Sequence, residues 1–285
     1  MNDRTIGWIG LGLVGAAATR RLIAAGFTVL GHDIAEPARR RLTERGGQAL
    51  DSAAKVARQC RQVVLSLPDS NIARQVVAEI QPALLAGAIV IDTTTGDPRH
   101  AQSLGAQLAA MNVAYLDATL TGSSRQIAEG ESVMTVGGDR AAFESCRPAL
   151  SAMARRVAHV GPVGHGAKLK LATNLVLGLN RAALAEALRF AAKLGLDPIL
   201  CLDLWRDGAA YSRMMDSKGP KMIAGDFTPQ ARLAQHHKDV RLILQAALQI
   251  SAKVPLSRLH EQLLDEAEKL GCGELDNSAI VKVFE

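Results

Sequence analysis

The sequence predicts a doubly wound α/β sheet in the N-terminal half and an all-helical domain in the C-terminal half, joined by a long helix. Short apolar runs with strand character alternate with helical segments before residue 162, and a glycine-rich turn follows the first run. Nearly every segment after residue 164 has helical rather than alternating periodicity. We therefore predict two domains, 1–162 and 163–285.

The first motif follows the apolar run Thr5–Ile9 and precedes a helical segment rich in small residues. It reads Gly10-Leu11-Gly12-Leu13-Val14-Gly15. A strand, GxGxxG and a helix in this order are typical of a Rossmann-type dinucleotide-binding domain. Gly10 would permit the tight turn, Gly12 would let a pyrophosphate approach the backbone, and Gly15 would let helix and strand pack closely. The free N–H groups at the start of the helix would hold the phosphates.

An acidic residue closes the second predicted strand, Phe27–His32. Asp33 lies roughly 20 positions beyond the glycines, where a carboxylate accepts hydrogen bonds from the adenosine ribose. Because it would repel a 2′-phosphate, Asp33 favours NAD, although NADP stays open. Two alternatives remain: Asp33 caps the helix near Glu36-Pro37, or one arginine of the run Arg39–Arg41 accepts the phosphate.

Four further apolar runs continue the alternation of strands and helices. They are Val63–Leu67, Ala88–Asp92, Ala114–Asp117 and Ser132–Val136. Continuous apolar strands joined by helices predict a parallel sheet buried on both faces. Since ligands bind beyond the carboxyl ends of such strands, we expect Leu67, Pro68 and Thr95 to line the cofactor site.

A hydroxyl-rich segment follows Asp117 and is predicted to be a loop. Its residues Thr121, Gly122 and Ser123 combine hydroxyl groups with a flexible backbone, a combination that can hold a carboxylate. An ordinary hydroxyl-rich turn is the alternative.

Two glycines, Gly164 and Gly166, open the long helix that joins the domains. Lys170 and Asn174 are four residues apart and share a helical face, whereas Lys168 points to nearly the opposite side. If one lysine is reactive, the spacing favours Lys170; a solvated or paired lysine is the alternative. Further helices are predicted at Ile199–Arg206, Arg213–Ile223, Ala231–Val254 and Leu256–Leu270.

Composition narrows the function classes. The chain has 285 residues, a net charge of +5 and only 3% aromatic residues, and its basic residues are scattered. Nucleic-acid binding is not expected, because it calls for clustered positive charge and stacking aromatic side chains. The modest positive electrostatic field of this chain suits a small anionic ligand. No apolar run reaches the roughly 18 residues of a membrane span. The four separated cysteines favour reduced thiols in a cytoplasmic protein and no metal site.

Together these motifs resemble those of the β-hydroxyacid dehydrogenase family, which includes 3-hydroxyisobutyrate dehydrogenase and tartronate semialdehyde reductase. Gly10–Gly15 is similar to the family's GLGxMG, and Asp92–Pro98 to its D-x-S-T-x-x-P. Gly164–Lys170 matches G-x-G-x-x-x-K, Lys238-Asp239 resembles the KD pair, and Gly271–Ala279 resembles the C-terminal segment.

The resemblance implies hydride transfer between NAD or NADP and a small 3-hydroxy acid or its semialdehyde. It implies that Lys170 is the general acid/base and Asn174 its partner, and that Thr95 contacts the cofactor. Lys238 would lie near the nicotinamide and the substrate. A homodimer or homotetramer is implied as well. An imine reductase and a non-catalytic NAD-sensing protein are the alternatives.

The predicted substrate loop departs from the family pattern D-A-P-V-S-G-G. Here it reads Asp117-Ala118-Thr119-Leu120-Thr121-Gly122-Ser123. Thr121 keeps a hydroxyl, so carboxylate binding is retained as an expectation. Ser123 adds a side chain where the family has glycine, which predicts a tighter or more polar pocket.

Overall fold

The computed structural model describes residues 4–285, and its contacts divide the chain into two compact units, Met1–Lys170 and Leu171–Glu285. The first unit contains strands and helices, and the second contains helices. One helix begins in the first unit and continues into the second. The predicted fold class, a Rossmann-type domain followed by a helical one, is confirmed.

Within the described residues the first unit forms one eight-stranded sheet in the order β3-β2-β1-β4-β5-β6-β7-β8. Its strands are β1 (Thr5–Ile9), β2 (Thr28–His32), β3 (Gln48–Ala49), β4 (Gln62–Leu65), β5 (Ile89–Asp92), β6 (Ala114–Thr121), β7 (Val133–Gly138) and β8 (Arg156–Gly161). The intervening helices are α1 (Leu13–Ala24), α2 (Glu36–Glu44), α3 (Ala53–Gln59), α4 (Ser70–Ile80), α5 (Pro98–Ala109), α6 (Ser124–Glu129) and α7 (Arg140–Met153), with a 3-10 turn at Gln81–Ala83.

The sheet is buried on both faces, as the continuous apolar strands predicted. Consecutive side chains of a strand point to opposite faces. Trp8 and Val64 accordingly belong to one apolar cluster, whereas Ile9, Val63 and Leu65 belong to another. Two separate apolar cores therefore lie between this sheet and its helices, one on each face.

Two predictions about the end of the sheet are wrong. The sheet is not entirely parallel, because β6 and β7 are antiparallel, with Asp117 opposite Gly137 and Thr121 opposite Val133. The segment after Asp117 is not a loop either, since β6 continues to Thr121. Pairing with β7 provides backbone hydrogen-bond partners for this polar segment and keeps it extended. The turn starts only at Gly122, whose φ is +146°.

The second unit continues the long helix α8 (His165–Lys193) with α9 (Pro198–Asp207), α10 (Arg213–Ser217), α11 (Gly219–Ala224), α12 (Leu233–Gln249) and α13 (Pro255–Lys269). A 3-10 helix at Asn277–Phe284 ends the chain. Arg213–Ile223 was predicted as one helix, but it divides at Lys218, because Pro220 in the first turn of α11 has no N–H to donate to the preceding helix. No helix within residues 4–285 combines the length and the apolar character needed to cross a membrane.

Candidate cofactor and active site

The glycine turn after β1 has no room for a side chain at Gly10 or Gly15, but it has room for one at Gly12. Gly10 has a φ of +94°, and a Cβ there would collide with the carbonyl oxygen of Ser66. A Cβ on Gly15 would collide with the Gly10 carbonyl and lie 2.8 Å from the indole nitrogen of Trp8. A Cβ on Gly12, in contrast, would meet nothing within 4 Å. The turn is therefore tightly packed on the protein side and accessible at Gly12.

The N-terminus of α1 fits the phosphates of a dinucleotide. Its N-cap residue is Gly12, which has no side chain to cap the helix, and its first turn contains no acidic residue. Leu13 and Val14 lie in that first turn, beside the open backbone at Gly12. Uncapped N–H groups and the positive end of the helix dipole favour a bound anion at this position.

Asp33 is held beside this turn at the carboxyl end of β2. Its Oδ2 accepts a hydrogen bond from the Leu11 amide at 2.6 Å, and its Oδ1 accepts one from the Ala35 amide at 2.8 Å. The N-cap residue of α2 is Ala35, and Asp33 binds the amide of that residue rather than an amide of the first helical turn. Arg39 folds back and donates from Nη1 to the carbonyl oxygens of Asp33 and Ile34, at 2.6 and 3.2 Å.

The loops after β4 and β5 are tied together by threonines. The Thr94 hydroxyl accepts a hydrogen bond from the Leu67 amide at 3.2 Å, and the Thr93 hydroxyl donates to Leu65 O at 2.8 Å. Leu67 and Thr95 are half-buried and Pro68 is exposed. Sequence reasoning missed the roles of Thr93 and Thr94, although the run of three threonines could have indicated them.

Lys170 reaches the end of β6. Its side chain is 8% exposed, and Nζ donates a 2.7 Å hydrogen bond to the carbonyl oxygen of Leu120. Lys168 is exposed, in agreement with the opposite orientation expected from the helical spacing. The structure thus brings the Lys170 ammonium next to the segment that begins at Thr121.

That segment presents an exposed backbone position at Gly122 and an engaged side chain at Ser123. Gly122 is exposed, and Thr121 is half-buried. Ser123 is the N-cap of α6: its Oγ accepts a hydrogen bond from the Gln126 amide at 3.3 Å, and Gln126 Oε1 accepts one from the Ser123 amide at 2.9 Å. The extra serine therefore shapes the turn as well as adding polarity.

Asn174, Asp239 and Lys238 form a connected polar group in the second unit. Asn174 Nδ2 donates to Asp239 Oδ2 at 2.8 Å, and Lys238 Nζ lies 3.0 Å from Asp239 Oδ1. Asn174 and Asp239 are both buried. Asp239 was recognised only as part of the KD pair, and the structure shows that it holds the asparagine in place.

Further buried charges lie in the second unit. Burial lowers the pKa of Arg181 to about 10, while the charges of Asp276 and Asp239 oppose that shift. The ammonium of Lys218 lies 2.7 Å from Asp276 Oδ1, and both side chains are buried. Burial alone would raise the pKa of Asp276, but its bond to Lys218 holds it below the ordinary value.

Comparison with known proteins places these features in a family. Residues 5–161 match the model of the NAD-binding domain of 6-phosphogluconate dehydrogenase. Residues 164–284 match the model described as NAD-binding of NADP-dependent 3-hydroxyisobutyrate dehydrogenase.

Individual relatives are similar over nearly their whole length. The chain is 31% identical to 2-(hydroxymethyl)glutarate dehydrogenase of Eubacterium barkeri, over 98% of this chain and 94% of that protein. It is also 31% identical to L-threonate dehydrogenase of Cupriavidus necator, over 99% and 96%. A crystal structure of 3-hydroxyisobutyrate dehydrogenase from Salmonella typhimurium superposes with a TM-score of 0.91 at 29% identity, covering 98% of this chain and 99% of that one. The chain belongs to the β-hydroxyacid dehydrogenase family of NAD(P)-dependent oxidoreductases.

Proposed function

We propose that this chain interconverts a small 3-hydroxy acid and its semialdehyde, with Lys170 as the general acid/base. The observation that carries the proposal is the position of Lys170, a buried ammonium held at Leu120 O, one helical turn before the buried Asn174. NAD(P), when bound, supplies the hydride acceptor or donor. Lys170 would take the proton from the carbinol oxygen in oxidation and return it in reduction.

The other residues would fix the position of the substrate. Thr121 and Gly122 offer a hydroxyl group and an exposed backbone turn to its carboxylate. Ser123 joins them through its hydroxyl, which accepts one hydrogen bond at the cap of α6 and still has a proton to donate. Asn174, anchored by Asp239, would orient the reacting group, and Lys238 would bind substrate and cofactor. The hydroxy acids named for the relatives, 2-(hydroxymethyl)glutarate and threonate, support this substrate class.

For the cofactor, we propose NAD in preference to NADP. Its phosphates would rest on Gly10–Gly15, with Leu67, Pro68 and Thr95 lining the site. The Asp33 carboxylate is anchored by the Leu11 and Ala35 amides, so it is fixed where a 2′-phosphate would be repelled. The Arg39 guanidinium is engaged with the backbone carbonyls of Asp33 and Ile34, which disfavours its use as a partner for a 2′-phosphate.

Domain boundary, assembly and location are also proposals. We place the boundary at 162/163, supported by the family matches that end at 161 and begin at 164. A homodimer or homotetramer is supported by exposed apolar side chains on the second unit, including Phe190 and Ile199, each 65% exposed. The cytoplasm is supported by four unpaired thiols.

The test compares two lysines that differ in position. Lys170→Ala should lower turnover by about 10²–10⁴-fold, while NAD(H), followed by fluorescence titration, binds as it does to wild type. Lys168→Ala removes an exposed lysine two residues away and should leave turnover unchanged. Activity is first sought with a panel of hydroxy acids and semialdehydes, each with NAD(H) and NADP(H). Near-wild-type turnover of Lys170→Ala on the best substrate would refute the assignment.

A further inference from the structure

Asp117 satisfies the start of the helix that carries Lys170. Its Oδ1 accepts a hydrogen bond from the Gly164 amide and its Oδ2 accepts one from the Ala167 amide, both at 2.8 Å. Because α8 begins at His165, these amides belong to the helix start, where intrahelical acceptors are missing. Asp117, which lies far away in the sequence, thus caps the helix as a local N-cap side chain would, and its negative charge complements the helix dipole.

The first turn of α8 lies directly on the sheet. A Cβ on Gly166 would collide with the Asp117 carbonyl and lie 2.9 Å from Thr135 O. The Thr119 hydroxyl, in turn, donates to Gly166 O at 3.2 Å. The helix start is therefore fixed to β6 through the carboxylate of Asp117, through Thr119 and through backbone contact.

The same strand and the same helix meet again at Lys170. Leu120, whose carbonyl accepts from Lys170 Nζ, is three residues beyond Asp117 on β6, and Lys170 is three residues beyond Ala167 on α8. With a rise of about 1.5 Å per helical residue, the lysine lies about 4.5 Å along the axis from the capped amide. Any shift of the helix start relative to β6 is thus passed almost directly to the ammonium.

From these contacts we infer that Asp117 is a positioning residue for Lys170: its carboxylate sets the register of α8 against β6 and so fixes the lysine at the substrate turn. The inference rests on the function proposed for Lys170. Since a displacement of about 1 Å at a reacting group can cost about 100-fold in rate, a loosened cap should act mainly on the chemical step.

The specific perturbation is Asp117→Asn, which keeps the shape but offers one acceptor and turns an NH₂ group toward the second amide. The rate constant for hydride transfer in a single turnover should fall about 10- to 100-fold. NAD(H) should still bind one per chain, with its Kd changed by less than about twofold. The matched control is Tyr115→Phe, which removes a buried hydrogen bond of the same strand that does not involve α8, from the Tyr115 hydroxyl to Asp92 at 2.7 Å. It should keep the wild-type rate constant.

A purely structural role would give a different readout. If Asp117→Asn only reduced the folded fraction, the amplitude of the single turnover would fall while its rate constant stayed the same, and the inference would be overturned. In a Lys170→Ala background, Asp117→Asn should lower the rate no further, because both changes act through one group. A further multiplicative fall would equally overturn it.

Two further variants, Thr119→Val and Lys170→Ala, distinguish a failure of the positioning role from a failure of the proposed function. If Asp117→Asn does not fold, Thr119→Val removes the bond to Gly166 O, together with the 3.1 Å contact between the Thr119 and Thr135 hydroxyls. The single-turnover rate constant should then fall a few-fold, and an unchanged rate constant would overturn the inference. If Lys170→Ala retains turnover, the proposed function fails. If Lys170→Ala is inactive but Asp117→Asn and Thr119→Val are as fast as wild type, only the positioning role fails.

Discussion

His260 should make the second unit less stable as the solution becomes acidic. Its side chain is 2% exposed, and its Nε2 has no hydrogen-bond partner within the described residues. The ring lies 5.3 Å from the ring of His236, and its Cε1 is 2.5 Å from the position of a Cβ on Gly178. Burial, followed by the charges of Arg181 and His237, lowers the pKa of His260 to about 3.

The size and sign of the effect follow from this pKa. In the unfolded chain His260 titrates near its ordinary value of about 6.5. Between about 6.5 and 3 the unfolded chain therefore binds a proton that the folded chain does not, so stability is full above this window and falls as the pH falls through it. At pH 5, about 1.5 units below the unfolded value, the free energy of unfolding should be about 2 kcal/mol smaller from His260 alone.

The assay is urea unfolding at pH 7 and pH 5, followed by the fluorescence of Trp205 in a Trp8→Phe background. His260→Gln removes the titrating ring, so it should lose about 2 kcal/mol less than wild type between the two pH values, whatever its own stability. Comparing differences within each protein cancels the contribution of the other histidines. If wild type and His260→Gln lost the same stability on acidification, His260 would not be the buried neutral group described here.

Two further changes test other parts of the structure. Lys218→Met leaves Asp276 buried without its cation and should lower the free energy of unfolding by about 3–5 kcal/mol in urea titrations. Lys269→Met, which breaks an exposed pair with Asp265, is the control, and an equally small effect at both sites would count against this reasoning. Asp33→Ser should lower the ratio of kcat/KM for NAD to that for NADP by at least about tenfold, because it removes the repulsion between the carboxylate and a 2′-phosphate. A tenfold change corresponds to about 1.4 kcal/mol in discrimination between the two cofactors. An unchanged ratio would show that Asp33 does not set the cofactor preference.

The fold was predictable where the pattern is local. A strand, a glycine turn and a helix follow one another within Thr5–Ala24, and continuous apolar strands indicated burial on both faces. The end of the sheet was not predictable in the same way. The extension of β6 to Thr121 depends on pairing with Val133 and its neighbours across a turn and a short helix. The threonines and the glycine after Asp117 are as typical of a loop as of a strand. Only pairing with the partner strand β7 determines which of the two forms.

The candidate site shows the same division. Helical spacing distinguishes Lys170 from Lys168, because residues two apart on a helix face different directions. The capping bonds of Asp117 span 47 and 50 residues, so no local window contains both donor and acceptor. Asp117 was read from the sequence as the end of a strand, and its second role became visible only once α8 was placed on β6.

Two buried charges of the first unit therefore have different physical justifications. Removing the Asp117 carboxylate would leave the Gly164 and Ala167 amides without acceptors in a buried position, so the aspartate stabilises the fold and positions the helix at once. Lys170 is different, because taking its ammonium out of water costs free energy. We therefore propose Lys170, rather than Asp117, as the residue that moves the proton, since both oxygens of the Asp117 carboxylate are engaged at the helix start while the Lys170 ammonium lies at the end of β6.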